Sequence, residues 1–164
     1  MGESIKLDDL NPTKKIRLPS QTQKYGEITI NNSTLDEKHL STIFGIAEPK
    51  AVITFNGCIF TKITKITDPN FLNIHELLLV SCEIDDLESL LHQKLTSLNL
   101  IGVIVRGNRN LDLSLAPNLQ ELMIESCRDL TIKFSELNRI LRYISVADQD
   151  HEIYFPETSF SYVA

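Results

Sequence analysis

The stretch Ile74-His75-Glu76-Leu77-Leu78-Leu79-Val80-Ser81-Cys82-Glu83-Ile84 has apolar residues at its first, fourth and sixth positions, a thiol at the ninth and another apolar residue at the eleventh. The same spacing recurs along the chain. With these positions numbered as slots, copies begin at Tyr25, Lys50, Ile74, Leu95, Leu119 and Leu141, in steps of 25, 24, 21, 24 and 22 residues. Of the 18 residues in slots 1, 4 and 6, 17 are apolar and only Lys50 departs, against about 8 expected in a chain that is 42% hydrophobic. All three cysteines, Cys58, Cys82 and Cys127, fall in slot 9. No unit this short can bury its apolar face alone, so neighbouring copies are expected to stack.

Leu95, Leu98, Leu100, Val103 and Val105 repeat the pattern, as do Leu119, Leu122, Ile124 and Cys127, while the sixth copy fades after Leu141, Ile144 and Val146. Over residues 25–149 this resembles the leucine-rich repeat, most closely its cysteine-containing subclass, although slot 9 never takes the Asn form and the period is uneven. The resemblance implies an α/β solenoid of about six repeats, with short parallel strands on the concave side and mixed short helices and extended returns on the convex side. Slots 3 to 7 of each copy are predicted to be strand, with slots 4 and 6 inward and slots 3, 5 and 7 outward.

The returns differ between copies. Thr34 and Glu37 form a capping-box pattern ahead of Leu40, Ile43 and Phe44, with Gly45 as the stop, which predicts a helix in the first copy. Asp85 with Glu88 predicts a second helix over Leu87, Leu90 and Leu91, and Ser135 to Leu141 a shorter third. Leu111, Leu113 and Leu115 alternate up to Pro117 and predict an extended return, whereas residues 63–72 fit either form. Residues 1–24 read as an N-terminal leader over the first repeat. Residues 150–164, with Tyr154, Phe155, Phe160 and Tyr162, read as a C-terminal cap or tail.

Composition narrows the function. The net charge is −6, and no basic run is longer than Lys14-Lys15, which argues against phosphate-driven nucleic-acid binding. No apolar run approaches a membrane span and the N-terminus has no signal-peptide pattern, so a cytoplasmic or otherwise intracellular protein is expected; one delivered into a host cell would carry the same features. No phosphate loop, HExxH, GxSxG or CxxC pattern is present, and no cofactor or metal is expected. A cysteine enzyme with His75 or His39 as base, or one with a carboxylate site, is the rival, as is a structural fragment of a larger assembly. Burial in slot 9 instead predicts three free, protected thiols.

The outward slots point to another protein as partner. Slots 5 and 7 are polar in the first two copies, but the middle copies place Leu78, Val80, Ile101 and Met123 on the open face, rimmed by His75, Glu76, Glu121, Glu125, Arg142 and Tyr143. An apolar centre with a polar rim is the anatomy of a protein interface, as in an adaptor or an effector. Self-association through the patch, or cover by the leader or tail, are the alternatives. The register has a direct check. Leu79→Ala or Leu100→Ala, in inward slot 6, should each cost about 2–5 kcal/mol and Thr54→Ala, in outward slot 5, less than about 0.5 kcal/mol, read as shifts in urea midpoint.

Overall fold

Apolar residues in slots 4 and 6 of every copy, two apart along the strand, put one strand face in the core, and stacking the strands copy on copy produces parallel sheets. The computed structural model describes residues 2–19, 22–63, 65–147 and 151–156. In chain order the strands are β1 (Ser4–Asp8), β2 (Tyr25–Asn31), β3 (Thr34–Leu35), β4 (Ala47–Asn56), β5 (Ile59–Phe60), β6 (Ile74–Val80) and β7 (Glu83–Asp86). They continue as β8 (Ser97–Ile101), β9 (Ile104–Asn108), β10 (Asn110–Asp112), β11 (Glu121–Glu125), β12 (Thr131–Lys133), β13 (Tyr143–Val146) and β14 (Glu152–Tyr154). One α-helix, α1 (Glu37–Gly45), lies between β3 and β4. The fold is α/β, with mostly parallel strands in three sheets. A seven-stranded sheet runs β1-β2-β4-β6-β8-β11-β13, a four-stranded one β3-β5-β7-β9, and a three-stranded one β10-β12-β14.

The slot numbering and the observed register coincide across the large sheet. Slot 4 residues Ile28, Ile53, Leu77, Leu98, Leu122 and Ile144 pair in sequence from strand to strand, and so do slot 6 residues Ile30, Phe55, Leu79, Leu100, Ile124 and Val146. In the first five copies these side chains are buried in one continuous core. The departure at Lys50 has a structural cause. Lys50 adopts a left-handed backbone with φ 65°, and the chain bulges so that Ala51, fully buried, takes the slot 1 place opposite Ile74.

Residues 4–8 form a regular seventh strand, where the sequence suggested only a leader. β1 pairs with β2 through Ile5↔Ile28 and Leu7↔Ile30, so its own apolar residues take slots 4 and 6. Beyond it, Leu10, Ile16 and Leu18 pack part-buried against the core. At the other end, Leu141, Ile144 and Val146 are only partly buried, and Phe155 stacks on Phe134 with ring centroids 5.1 Å apart. The expected aromatic cap also involved Phe160 and Tyr162, which lie outside the described residues.

The returns need correction. The first-copy helix exists, but its N-cap is Asp36, whose carboxylate accepts from the His39 N–H at 2.9 Å; Thr34 belongs to β3. The predicted helix near Leu87 is a single 3-10 turn, Leu87–Leu90, capped by Asp86 and not Asp85. The backbone is extended at Leu91, which is buried, so no second helical turn forms. Ser135 to Leu141 forms turns without a helix. There Asn138 is buried, and its amide donates to the carbonyls of Leu113 at 2.9 Å and Ala116 at 3.1 Å, which holds the segment against the previous return. The alternating leucines give β10 and then a 3-10 turn, Leu113–Leu115, and the undecided return forms a 3-10 turn over Pro69–Asn73.

Slot 8 carries a pattern that apolar periodicity does not show. Asp9, Asn32, Gly57, Ser81, Gly102 and Ser126 all have φ between 48° and 64°, one at the end of each of the first six strands of the large sheet. The slot 8 N–H of Asn32, Gly57, Ser81 and Gly102 donates at 2.8 Å to the slot 7 carbonyl of the following copy. Non-glycine residues are strained at this φ, so the glycines have a local reason. Ser126→Gly should therefore raise stability by up to about 1 kcal/mol and Gly57→Ala lower it by about 1 kcal/mol, measured as urea midpoints.

Candidate functional site

The outer face of the seven-stranded sheet is built from slots 3, 5 and 7, and the register says which side chains are neighbours. Val80 lies directly beside Ile101, with Asn56 on its other side. Leu78 is flanked by Thr54 and Asn99, and Met123 by Asn99 and Ser145. The four apolar residues are therefore not one unbroken row as the sequence suggested. Asn99 stands between Leu78 and Met123, its amide donating to Ser97 Oγ at 3.3 Å. All four are half-buried and not fully exposed, because strands about 4.8 Å apart shield one another's side chains even on an open face.

The rest of the face is polar and partly self-satisfied. Asn31 donates to Asp8 at 2.7 Å and accepts from Asn56 at 3.4 Å, so slot 7 of the first three strands forms a side-chain ladder. The sequence reading missed Asp8, because it lay in the supposed leader. Glu76, Glu121, Glu125, Arg142 and Tyr143 are exposed. Tyr143 stands on the edge strand β13, paired with Glu121. His75 is half-buried at the strand entrances, and burial, then the charges of Lys50 and Lys94, lower its pKa. The structure thus puts all ten predicted residues on or beside one sheet, with His75 and Arg142 at its margin.

The thiols and His39, which would serve a rival chemistry, are engaged in hydrogen bonds. Cys58, Cys82 and Cys127 are buried and free, and each thiol donates to the slot 6 carbonyl of the preceding copy: Ile30 at 3.4 Å, Phe55 at 3.3 Å and Leu100 at 3.6 Å. Ser33, in the same slot, donates to Asn31 O at 2.7 Å and accepts from Leu10 N at 2.9 Å. His39 spends its ring nitrogens on Asp36 at 2.8 Å and the Lys14 carbonyl at 3.0 Å, so it is not a base beside a thiol.

A cleft of about 450 Å³ opens on the return side, lined by Asp68, Phe71, Asp86, Glu88, His92 and Leu115 among others. Its carboxylates hold turns. Asp68 caps Asn70 N at 2.8 Å, Asp86 caps Glu88 N at 3.0 Å, and Glu88 accepts from Asp112 N at 3.2 Å. Among the described residues no group of three or more His, Cys, Asp or Glu is placed to hold a metal ion, and no helix is long and apolar enough to cross a membrane. No family model, curated protein or solved structure matches this chain.

His92 makes the cleft sensitive to pH. Its ring packs on Phe71 with centroids 4.4 Å apart, and Nδ1 accepts from the Lys94 N–H at 3.2 Å. Burial first, then the charge of His75 and last that of Lys94, lower its pKa from 6.5 to about 4, against an opposing pull from the Ile74 backbone. At neutral pH both folded and unfolded states carry neutral His92. As pH falls from 6.5 towards 4 the unfolded chain takes up a proton that the folded chain refuses, so stability falls. The loss should reach about 3 kcal/mol near pH 4, and His92→Phe should flatten this part of the profile of urea midpoint against pH.

Proposed function

We propose that this chain is a leucine-rich-repeat-like solenoid of about six repeats that binds another protein across the outer, concave face of its seven-stranded sheet. Three features support the architecture: successive copies pair in one register, each of the first six strands of the large sheet ends in a left-handed corner, and slot 9 of the first five copies holds a small buried side chain, a hydroxyl or thiol donor in four of them and Val103 in the other. The observation that carries the function is the Val80–Ile101 pair, with Leu78 and Met123 diagonal to it, on a sheet face whose other end is a polar ladder. Apolar side chains on the outward side add nothing to the core, and covering them with a partner removes their remaining surface from water. The three thiols and the cleft carboxylates Asp68, Asp86 and Glu88 are committed to backbone donors and acceptors, which favours binding over catalysis at those places.

Leu78→Glu with Ile101→Glu tests this. Both side chains point away from the core, so the double variant should keep its urea midpoint to within about 1 kcal/mol of the parent. Two central anchors of ordinary strength are worth at least about a hundredfold in affinity, which quantitative capture from an extract should register as lost partners. Ile104→Glu, on the outer side of the four-stranded sheet, is the control and should leave capture unchanged. An unfolded double variant would place these residues in the core, and unchanged capture would move the interface elsewhere. Self-association through the same face would show instead as concentration-dependent sedimentation that the double variant abolishes.

A further inference from the structure

The charge on the outer face is one-sided. Across slots 3, 5 and 7 of the seven strands, the described residues include five carboxylates, Asp8, Glu27, Glu76, Glu121 and Glu125, and one cation, Lys6. Asp8 is engaged with Asn31. Glu27, Glu76, Glu121 and Glu125 are exposed, and none of them takes part in an ion pair among the described residues. Lys50 and Lys94 stand at the strand entrances, where their charge acts on His75 without ion-pairing these carboxylates.

Three of the carboxylates form a regular row. The register runs Glu27↔Val52↔Glu76↔Ser97↔Glu121, so a carboxylate occupies slot 3 of every second strand. Two strand spacings are about 9.6 Å. That separation is close to the screening length at physiological salt, so the negative potentials of adjacent carboxylates overlap, and the cations nearby are Lys6, on the strand beyond Glu27, and Lys50, Lys94 and Arg142 at the margin, none of them ion-paired to the row among the described residues. Alongside the row, in slots 5 and 7, lie Leu78, Val80, Ile101 and Met123. A ligand that satisfies both rows must present cations on one edge and apolar groups on the next. A chain in the polyproline II conformation has three residues per turn and rises about 9.3 Å per turn, so every third residue returns to the same edge at nearly the carboxylate spacing.

We propose that the partner of this face is an extended basic segment of a protein, with Lys or Arg at every third residue and apolar residues next to them. The proposal rests on the binding function put forward above and specifies its ligand. Phosphate-rich nucleic acid and anionic membrane surfaces are repelled by the same carboxylates.

The probe is a labelled nine-residue peptide of three Lys-Leu-Pro repeats, compared by fluorescence anisotropy with versions carrying Gln or Glu in place of Lys. Three exposed ion pairs of ordinary strength together give about tenfold, so the Lys peptide should bind about tenfold tighter than the Gln peptide at low salt, with the Glu peptide weakest. The preference should shrink at high salt, and Glu76→Gln with Glu121→Gln should remove it while leaving Gln-peptide binding unchanged. Leu78→Glu with Ile101→Glu should weaken both the Lys and the Gln peptides. Equal binding of Lys and Gln peptides to the unaltered chain would overturn the proposed ligand and leave the apolar face as an interface without charge selection. Absence of binding by every version at about 1 mM would also overturn it, whereas the binding function itself stands or falls on the capture experiment.

Discussion

Every strand of the large sheet up to β11 ends in a residue with a left-handed backbone, and the hydrogen bonds around that corner set the geometry of everything else. The slot 8 N–H reaches forward to the next copy's slot 7 carbonyl, and the slot 10 N–H of Ile59, Glu83 and Ile104 reaches back to the slot 9 carbonyl of the copy before. The corner therefore ties each copy to both neighbours by backbone alone. It also swings the chain from one sheet into another, so β3, β5, β7 and β9 continue in the same stacking order as the strands they leave. A side chain in slot 9 sits inside that bend, where there is room for a serine, cysteine or valine and where a thiol or hydroxyl finds a carbonyl to donate to.

Because the backbone settles the stacking, the returns are free to differ. α1 packs Leu40, Ile43 and Phe44 into the core, and Phe44 stacks on Phe71 of the next return with centroids 4.8 Å apart. Later copies make the same closure with a 3-10 turn whose first N–H groups are met by Asp68, Asp86 or Asp112. A short turn needs one good cap more than it needs helix propensity, since it has almost no internal hydrogen bonds to propagate. This is why carboxylates that look reactive on the return side are structural.

Neither core nor corner uses the outward positions of the large sheet. On the outer sheet face these pass from an amide ladder at one end, through Leu78, Val80 and Ile101, to Met123 and Tyr143 at the other. The half-burial of these apolar residues is itself informative. Val80 and Ile101 are direct neighbours, Asn99 separates Leu78 from Met123, and all four keep part of their area open to water. The glutamates beside them remain exposed to solvent in the free protein.

The inward pairing of Ile28 through Val146 was legible in the sequence because burial of one strand face demands a period of two, and a slip of one residue would turn every core side chain outward. The outward position of Leu78, Val80, Ile101 and Met123 was legible for the same reason. The choice between α-helix and 3-10 turn was not, because Asp36, Asp86 and Asp112 cap both kinds of return alike and a cap does not set how many turns follow it. β1 was hidden because a single strand carries no repeat, and Ser4–Asp8 gains its register only by lying against β2. Asn99 between Leu78 and Met123, and the carboxylate on every second strand, emerged only when the strands were laid side by side. Separation across a sheet is a property of the stack and not of any one copy.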